Sequence, residues 1–137
     1  MKEIKIYWTL QRLEDFRGPD SVRKHQIRRA RSGDGRTYHI GGLGYKEELF
    51  TRVICPDGQL VCLRPETDVI HLAVVGGVNG DYRYCNTLCT DQLRALANEF
   101  RSICHSFGEV ELDCSFFHHF NFERWVAAIG AARHITS

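Results

Sequence analysis

The run Val69-Ile70-His71-Leu72-Ala73-Val74-Val75 constrains this chain more than any other stretch. It is almost wholly apolar, as a strand buried on both faces is. Gly76-Gly77 breaks it. Upstream, Phe50, Val53 and Ile54 lead into Asp57-Gly58, where a tight turn needs positive φ and glycine supplies it without steric cost. Leu60, Val61 and Leu63 continue after the turn, and Pro65 closes the segment because it cannot donate to a ladder. The stretch from Leu49 to Gly80 therefore reads as a hairpin feeding a central strand, on which the remaining elements pack.

A chain of 137 residues, 43% hydrophobic and 26% charged, is expected to form one domain over residues 1–137. The formal net charge of +1 names no partner class. Six cysteines (Cys55, Cys62, Cys85, Cys89, Cys104, Cys114) show no CxxC spacing, and most lie in apolar runs where a free thiol behaves as a small hydrophobe. Cys85 and Cys89 are candidates for pairing or metal binding, with free thiols preferred. The opening MKEIKIYW has no continuous apolar core, and no run approaches a membrane span. The expectation is a reduced, cytoplasmic protein with no membrane partner.

At the N-terminus Ile4, Ile6 and Trp8 alternate with Glu3, Lys5 and Tyr7, which predicts a strand with one buried face. Gln11 to Pro19 reads as a loop, and Asp20 or Ser21 as the cap of a helix from Val22 to about Arg31. Ser32 to Gly44 is glycine-rich but has neither Walker nor GxGxxG spacing. After Gly80 comes a polar connection to Cys89. Thr90 then caps a helix whose Leu93, Leu96, Ala97, Phe100, Ile103, Cys104 and Phe107 form one apolar stripe. Gly108 ends it. Val110, Leu112 and Cys114 alternate with charges and predict another strand, followed by an aromatic, histidine-rich link from Ser115 to Phe120. Asn121 caps a last helix in which Phe122, Trp125, Val126 and Ile129 share a face. The expected fold is α/β: a mixed central β-sheet flanked by about three helices.

Between Arg17 and Arg36 seven Lys/Arg face two Asp. Arg23, Lys24, Arg28, Arg29 and Arg31 are candidate phosphate-contacting residues, since contacts with a nucleic-acid backbone need clustered cations. A solvated helix face is the preferred reading, because no aromatic stacking residues interleave. Weak nucleic-acid binding is the expectation. There is no GxSxG elbow and no HExxH, and Glu47-Glu48 beside the glycine-rich loop read as solvated charge.

In their order, these motifs resemble those of the type 2 N-acetylmuramoyl-L-alanine amidases, the family of the phage lysozymes that are amidases and of the peptidoglycan-recognition proteins. The similarity covers most of Leu49 to Gly130 and, more weakly, the N-terminal strand. LFTRVICPDGQLV is similar to the family's hairpin, LAVVGGVNG to its central strand ending in Gly-Gly, and TDQLRALANEF to its following helix. Phe120-Asn121-Phe122-Glu123-Arg124-Trp125 stands where the family has Phe-Asp-Leu-x-Arg-Trp. The resemblance implies an amidase-like fold. It also implies a place for a zinc ion held by two His and one Cys or Asp, with an open position for water.

The ligand positions implied by the resemblance carry other residues. Tyr7 or Trp8 stands where the first zinc His ends the first strand, Cys114 where the second His follows the late strand, and Phe117 where the last ligand precedes Phe-Asp-Leu. Phe50 replaces the motif Tyr and Thr51 the neighbouring His. The connection from Arg64 to Val69, which forms part of the substrate groove in the family, is shortened. The reading is a catalytically inactive, amidase-like domain that acts by binding, with no cofactor and no catalytic residue. A protein partner is expected and a peptidoglycan fragment is possible, for instance in a phage or mobile-element regulator or inhibitor of a host protein. The basic helix, the aromatic link and the shortened groove are the surfaces to inspect. The alternative is a divergent zinc-dependent amidase with Cys114 and His118 or His119 at a rebuilt centre. His39 and His71 are candidates by residue type only, and a hydrogen-bonded core histidine is preferred for His71.

Overall fold

The computed structural model describes residues 2–31, 50–130 and 135–136, of which 26–31 and 135–136 are described by backbone alone. The glycine-rich segment Ser32–Gly44, His39, Glu47 and Glu48 lie outside the described residues, as do the side chains of Arg28, Arg29 and Arg31.

Strands β1 (Lys2–Trp8), β2 (Arg52–Ile54), β3 (Leu60–Cys62), β4 (Val69–Val74), β5 (Val110–Phe116) and β6 (Ile135–Thr136) form one sheet in the order β3-β2-β4-β1-β5-β6. Every neighbouring pair is parallel except the antiparallel hairpin β2–β3, so the sheet is mixed. Helices α1 (Pro19–Arg31), α2 (Thr90–Phe107) and α3 (Phe122–Ala128) complete the α/β fold, with a short 3-10 turn at Leu13–Asp15. Among the described residues no helix is long and apolar enough to cross a membrane.

The apolar run of β4 lies between β2 and β1, where both of its faces are covered. Ile70, Leu72 and Val74 join Ile4, Ile6 and Trp8 of β1 against Leu96, Phe100 and Ile103 of α2 and Phe122 and Val126 of α3. Ala73 and Val75 point the other way, into a smaller cluster with Tyr7, Phe50, Val53 and Val22 of α1. β1 is therefore covered on both faces at Tyr7, not on one. The hairpin turns where the sequence placed it: Gly58 has φ +88°, and Asp57 Oδ1 accepts the Gln59 N–H at 2.9 Å. Arg52 ties the hairpin down by binding Glu66 at 2.6 Å and Glu99 of α2.

Local expectations are corrected at several places. Helix α1 begins at Pro19, ahead of Asp20 and Ser21. Proline suits a first helical position, whose N–H would have no helical partner. The Ser21 hydroxyl instead donates to the Gly18 carbonyl and accepts the Arg17 N–H. Helix α2 takes Cys89 as its N-cap residue, with Thr90 already helical, because the buried Gln92 turns its carbonyl back toward the Cys89 N–H. Phe107, at the end of the apolar stripe, is 49% exposed and lies under the Lys2 ammonium. Trp125, on the shared face of α3, is half-buried and packs against the larger cluster, as its place in the stripe implies.

Strand β5 also runs two residues beyond Cys114. Its pairing with β1 shifts between Lys5 and Tyr7, the mark of a β-bulge, and Ser115 folds onto Asp113 there through two hydrogen bonds. Without the extra residue, Phe116 would face the same side as Leu112 and Cys114. With it, Phe116 crosses to the α1 side and stacks on Tyr7 at 5.5 Å, leaving Phe117 for the α2–α3 side.

His71 is a hydrogen-bonded histidine, its Nδ1 2.9 Å from the Tyr7 hydroxyl. Burial, helped by Arg64 and Lys5 and opposed by Glu66, pushes its pKa down to about 4. The unfolded chain takes up this proton near pH 6.5, whereas the folded one resists it until about 4. Stability should therefore fall as pH drops through that window, by on the order of 2 kcal/mol. Urea titrations at stepped pH check this. The slope should flatten in His71→Gln, and an unchanged slope would assign the effect to other groups.

Candidate functional site

Adjacent parallel strands β1 and β4 send their following helices to opposite faces of the sheet. α1 packs with Val22 in the smaller cluster, and α2 packs in the larger one. In open α/β sheets such a switch point leaves a crevice outside the carboxyl ends of the strands, and ligands bind there. The chain does three things at this edge.

First, it locks the strand ends together. Thr9, only 1% exposed, accepts the N–H groups of Gly76 and Gln11 on its hydroxyl, and the Leu10 N–H donates to the Gly76 carbonyl at 2.9 Å. Among the described residues, the non-glycine residues with positive φ (Leu10, Tyr82 and His119) all lie in loops following β1, β4 and β5. Backbone strain of this kind persists only where the surroundings over-determine it.

Second, it closes the end of β1 against that of β5 with aromatic rings. Trp8 and Phe117 stack at 4.3 Å, and the indole Nε1 donates to the His118 carbonyl at 2.8 Å. The His118 ring lies 2.7 Å from the Gly77 carbonyl through Nε2 and stacks on Tyr84 at 4.5 Å. A carbonyl only accepts, so Nε2 carries the proton and Nδ1 is the ring's lone acceptor. Burial lowers the His118 pKa. Burial first, then Glu123 and Asp113, raises that of the Cys114 thiol.

These residues do not fit a three-ligand zinc centre. Of the positions implied by the resemblance, the first, Tyr7 or Trp8, and the last, Phe117, carry aromatic rings, with Trp8 and Phe117 in mutual contact, which leaves Cys114 as the one metal-ligating residue type at the three. His118 and His119 meet edge to face at 5.3 Å. Among the described residues no group of three or more His, Cys, Asp or Glu is arranged to hold a metal ion. All six cysteines, Cys85 and Cys89 included, are free thiols. The aromatic link is mainly core: Phe117 is buried and Phe120 half-buried, while His119 is exposed.

Third, the edge opens into a cleft of about 530 Å³ lined by the β1–α1 loop, the start of α1 and Tyr82. Arg12 builds one wall. Its guanidinium grips the Asp15 carboxylate with two hydrogen bonds (2.7 and 3.1 Å), donates to the Gly80 carbonyl and covers the Tyr82 ring at 4.6 Å. The Arg12 hydrogen bonds hold the Asp15 carboxyl below the usual carboxylate range. Gln11, 3% exposed, forms another part of the lining. Its Nε2 donates to the Asp15 carbonyl and to the Ser21 hydroxyl, which fixes the orientation of the amide because a carbonyl cannot donate in return. Gln11 Oε1 then has no hydrogen-bond donor among the described residues. A buried acceptor left this way costs about 1–3 kcal/mol.

Of the candidate basic residues, the structure brings Lys24 to this cleft, together with Arg17 and His25. Arg23 reaches the Asp20 carboxylate at 4.0 Å. Gln11, Arg12, Asp15 and Tyr82 escaped the sequence reading. The signal available for the first three was their position, directly after a strand expected to pair within the sheet. Tyr82 had none, since its place depends on the loop after β4 folding back onto Arg12. Compared with known proteins, the chain matches no family model and no curated protein.

Proposed function

We propose that this is an amidase-like domain that acts by binding and not through a hydrolytic zinc centre. The observation that supports this reading is the Trp8–Phe117 stack, two rings in contact at positions where, with Trp8 and not Tyr7 taken as the first, the resemblance asks for ligands. The amidase-like part is supported by an edge hairpin beside the parallel run β2, β4, β1, β5 and by the helix that follows Gly76-Gly77. A domain of this kind works through a surface, and exposed Tyr84 and His119, outside the lining of the cleft, offer one. The partner in this reading is a protein, met in the cytoplasm by a regulator or inhibitor of phage or mobile-element type. A peptidoglycan fragment and nucleic acid are weaker ligands.

Metal analysis of the dialysed protein, with an assay for peptide release from peptidoglycan, tests the reading. Far less than one zinc per chain and no released peptide are expected. One equivalent of zinc that survives dialysis and disappears in Cys114→Ser, together with peptide release, would replace the binding domain with a divergent amidase.

A further inference from the structure

We propose that the cleft at the carboxyl ends of β1 and β4 is a site for a small phosphate monoester carrying a hydroxyl or amine close to its phosphate. The inference does not depend on how the aromatic end of β5 is interpreted, because the cleft is lined by other residues.

Charge decides the anionic half of the ligand. Arg12 is neutralised by its two-pronged grip on Asp15, and Asp20 has Arg23 at 4.0 Å. Arg17 and Lys24 remain. Lys24 is exposed and forms no ion pair among the described residues. Arg17 spends one guanidinium nitrogen on the carbonyls of Glu14 and Phe16, and its charge reaches Asp15 only through space. Asp15 and Asp20 also line the cleft, but each has an arginine partner, and Arg17 and Lys24 have no carboxylate in contact among the described residues. Two such cations suit an oxyanion, and a dianionic phosphate matches both charges.

The buried amide decides the other half. Gln11 Oε1 is an acceptor with no donor among the described residues, on a residue that lines the cleft and is almost wholly buried. Its own Nε2 is committed to Asp15 and Ser21, so the missing partner must arrive from outside the chain's described donors. A hydroxyl or amine on the ligand supplies it, with a small shift of the amide toward the cleft. The volume of about 530 Å³ is within the range of small-molecule sites and suits a sugar phosphate or a mononucleotide.

The test is a chemical-shift titration of the full chain with four separate probes: inorganic phosphate, glucose 6-phosphate, AMP and adenosine. The phosphate esters should move the Gln11 side-chain amide and the backbone signals of Arg17, Ser21, Lys24 and Tyr82, and inorganic phosphate should do so more weakly. AMP binding tighter than glucose 6-phosphate would identify a nucleotide as the source, and the reverse a sugar phosphate. Lys24→Glu, an exposed change that leaves the fold intact, should weaken ester binding roughly tenfold. Gln11→Leu should abolish the advantage of the esters over inorganic phosphate, with its folding confirmed by the dispersion of its own spectrum. The proposal is overturned if neither ester moves these signals at millimolar concentration. It is equally overturned if adenosine binds as well as AMP, or if Lys24→Glu binds as the parent does.

Discussion

Phe100→Ala should cost about 3–5 kcal/mol, the range for truncating a buried Phe and leaving a cavity behind. Phe100 is fully buried, meets Phe122 edge to face at 5.6 Å, and shares its cluster with Ile4, Ile70 and Leu72 of the two central strands. Helices α2 and α3 both depend on that position, so neither can move in to fill the gap without pulling the other off the sheet. The loss is comparable to much of a domain's net stability. Urea unfolding should show a much lower midpoint with an unchanged slope. His119→Ala, on an exposed side chain, should stay within about 1 kcal/mol. His118→Ala should fall between the two, since it removes a partner of the Gly77 carbonyl and a ring stacked on Tyr84. A loss at His119 as severe as that at Phe100 would show that the histidine pair holds the fold together.

The second large effect is expected at Gly77→Ala. Gly77 has φ +92°, and a Cβ built there would lie 2.4 Å from Cγ of Trp8. The indole cannot retreat, because Phe117 stacks on it and its Nε1 is bound to the His118 carbonyl. Backbone strain and overpacking each cost about 1–3 kcal/mol, and here they fall on one methyl group. Gly108 also has positive φ, but an added methyl group meets nothing within 4 Å there, so Gly108→Ala isolates the strain alone. The difference between the two variants measures the clash with Trp8. In a Trp125→Phe background, Gly77→Ala should also shift Trp8 emission to longer wavelength as the ring loses its seat. Equal losses at the two glycines would mean that the aromatic closure is soft.

The sites of these two effects were legible in the sequence to different degrees. Phe100 stood out because a helical stripe at steps of three and four is written in local order, and the apolar run of β4 announced a strand covered on both sides. Gly77 was visible only as a strand breaker. That its missing side chain makes room for Trp8, 69 positions earlier, follows from the parallel pairing of β1 with β4. The same pairing accounts for the cleft. Arg12 and Asp15 looked like two charges in a loop, and Gln11 like a polar residue at its start.

The amino-acid sequence by itself determined which segments bury a face and where the chain turns: β1 from its alternation, the hairpin from Asp57-Gly58, α2 from its stripe, and the start of α3 from Asn121. These are short-range properties, set by side-chain period and by the few residues that suit a turn or a cap. The tertiary structure decided which strands are neighbours, and so which loops share an edge. It also decided that one bulge in β5 sends Phe116 and Phe117 to opposite faces, that β6 joins the sheet, and that a buried glutamine has an acceptor unmet among the described residues beside a charged cleft. Sheet order and hydrogen-bond satisfaction depend on groups far apart in the chain, and no local period records them.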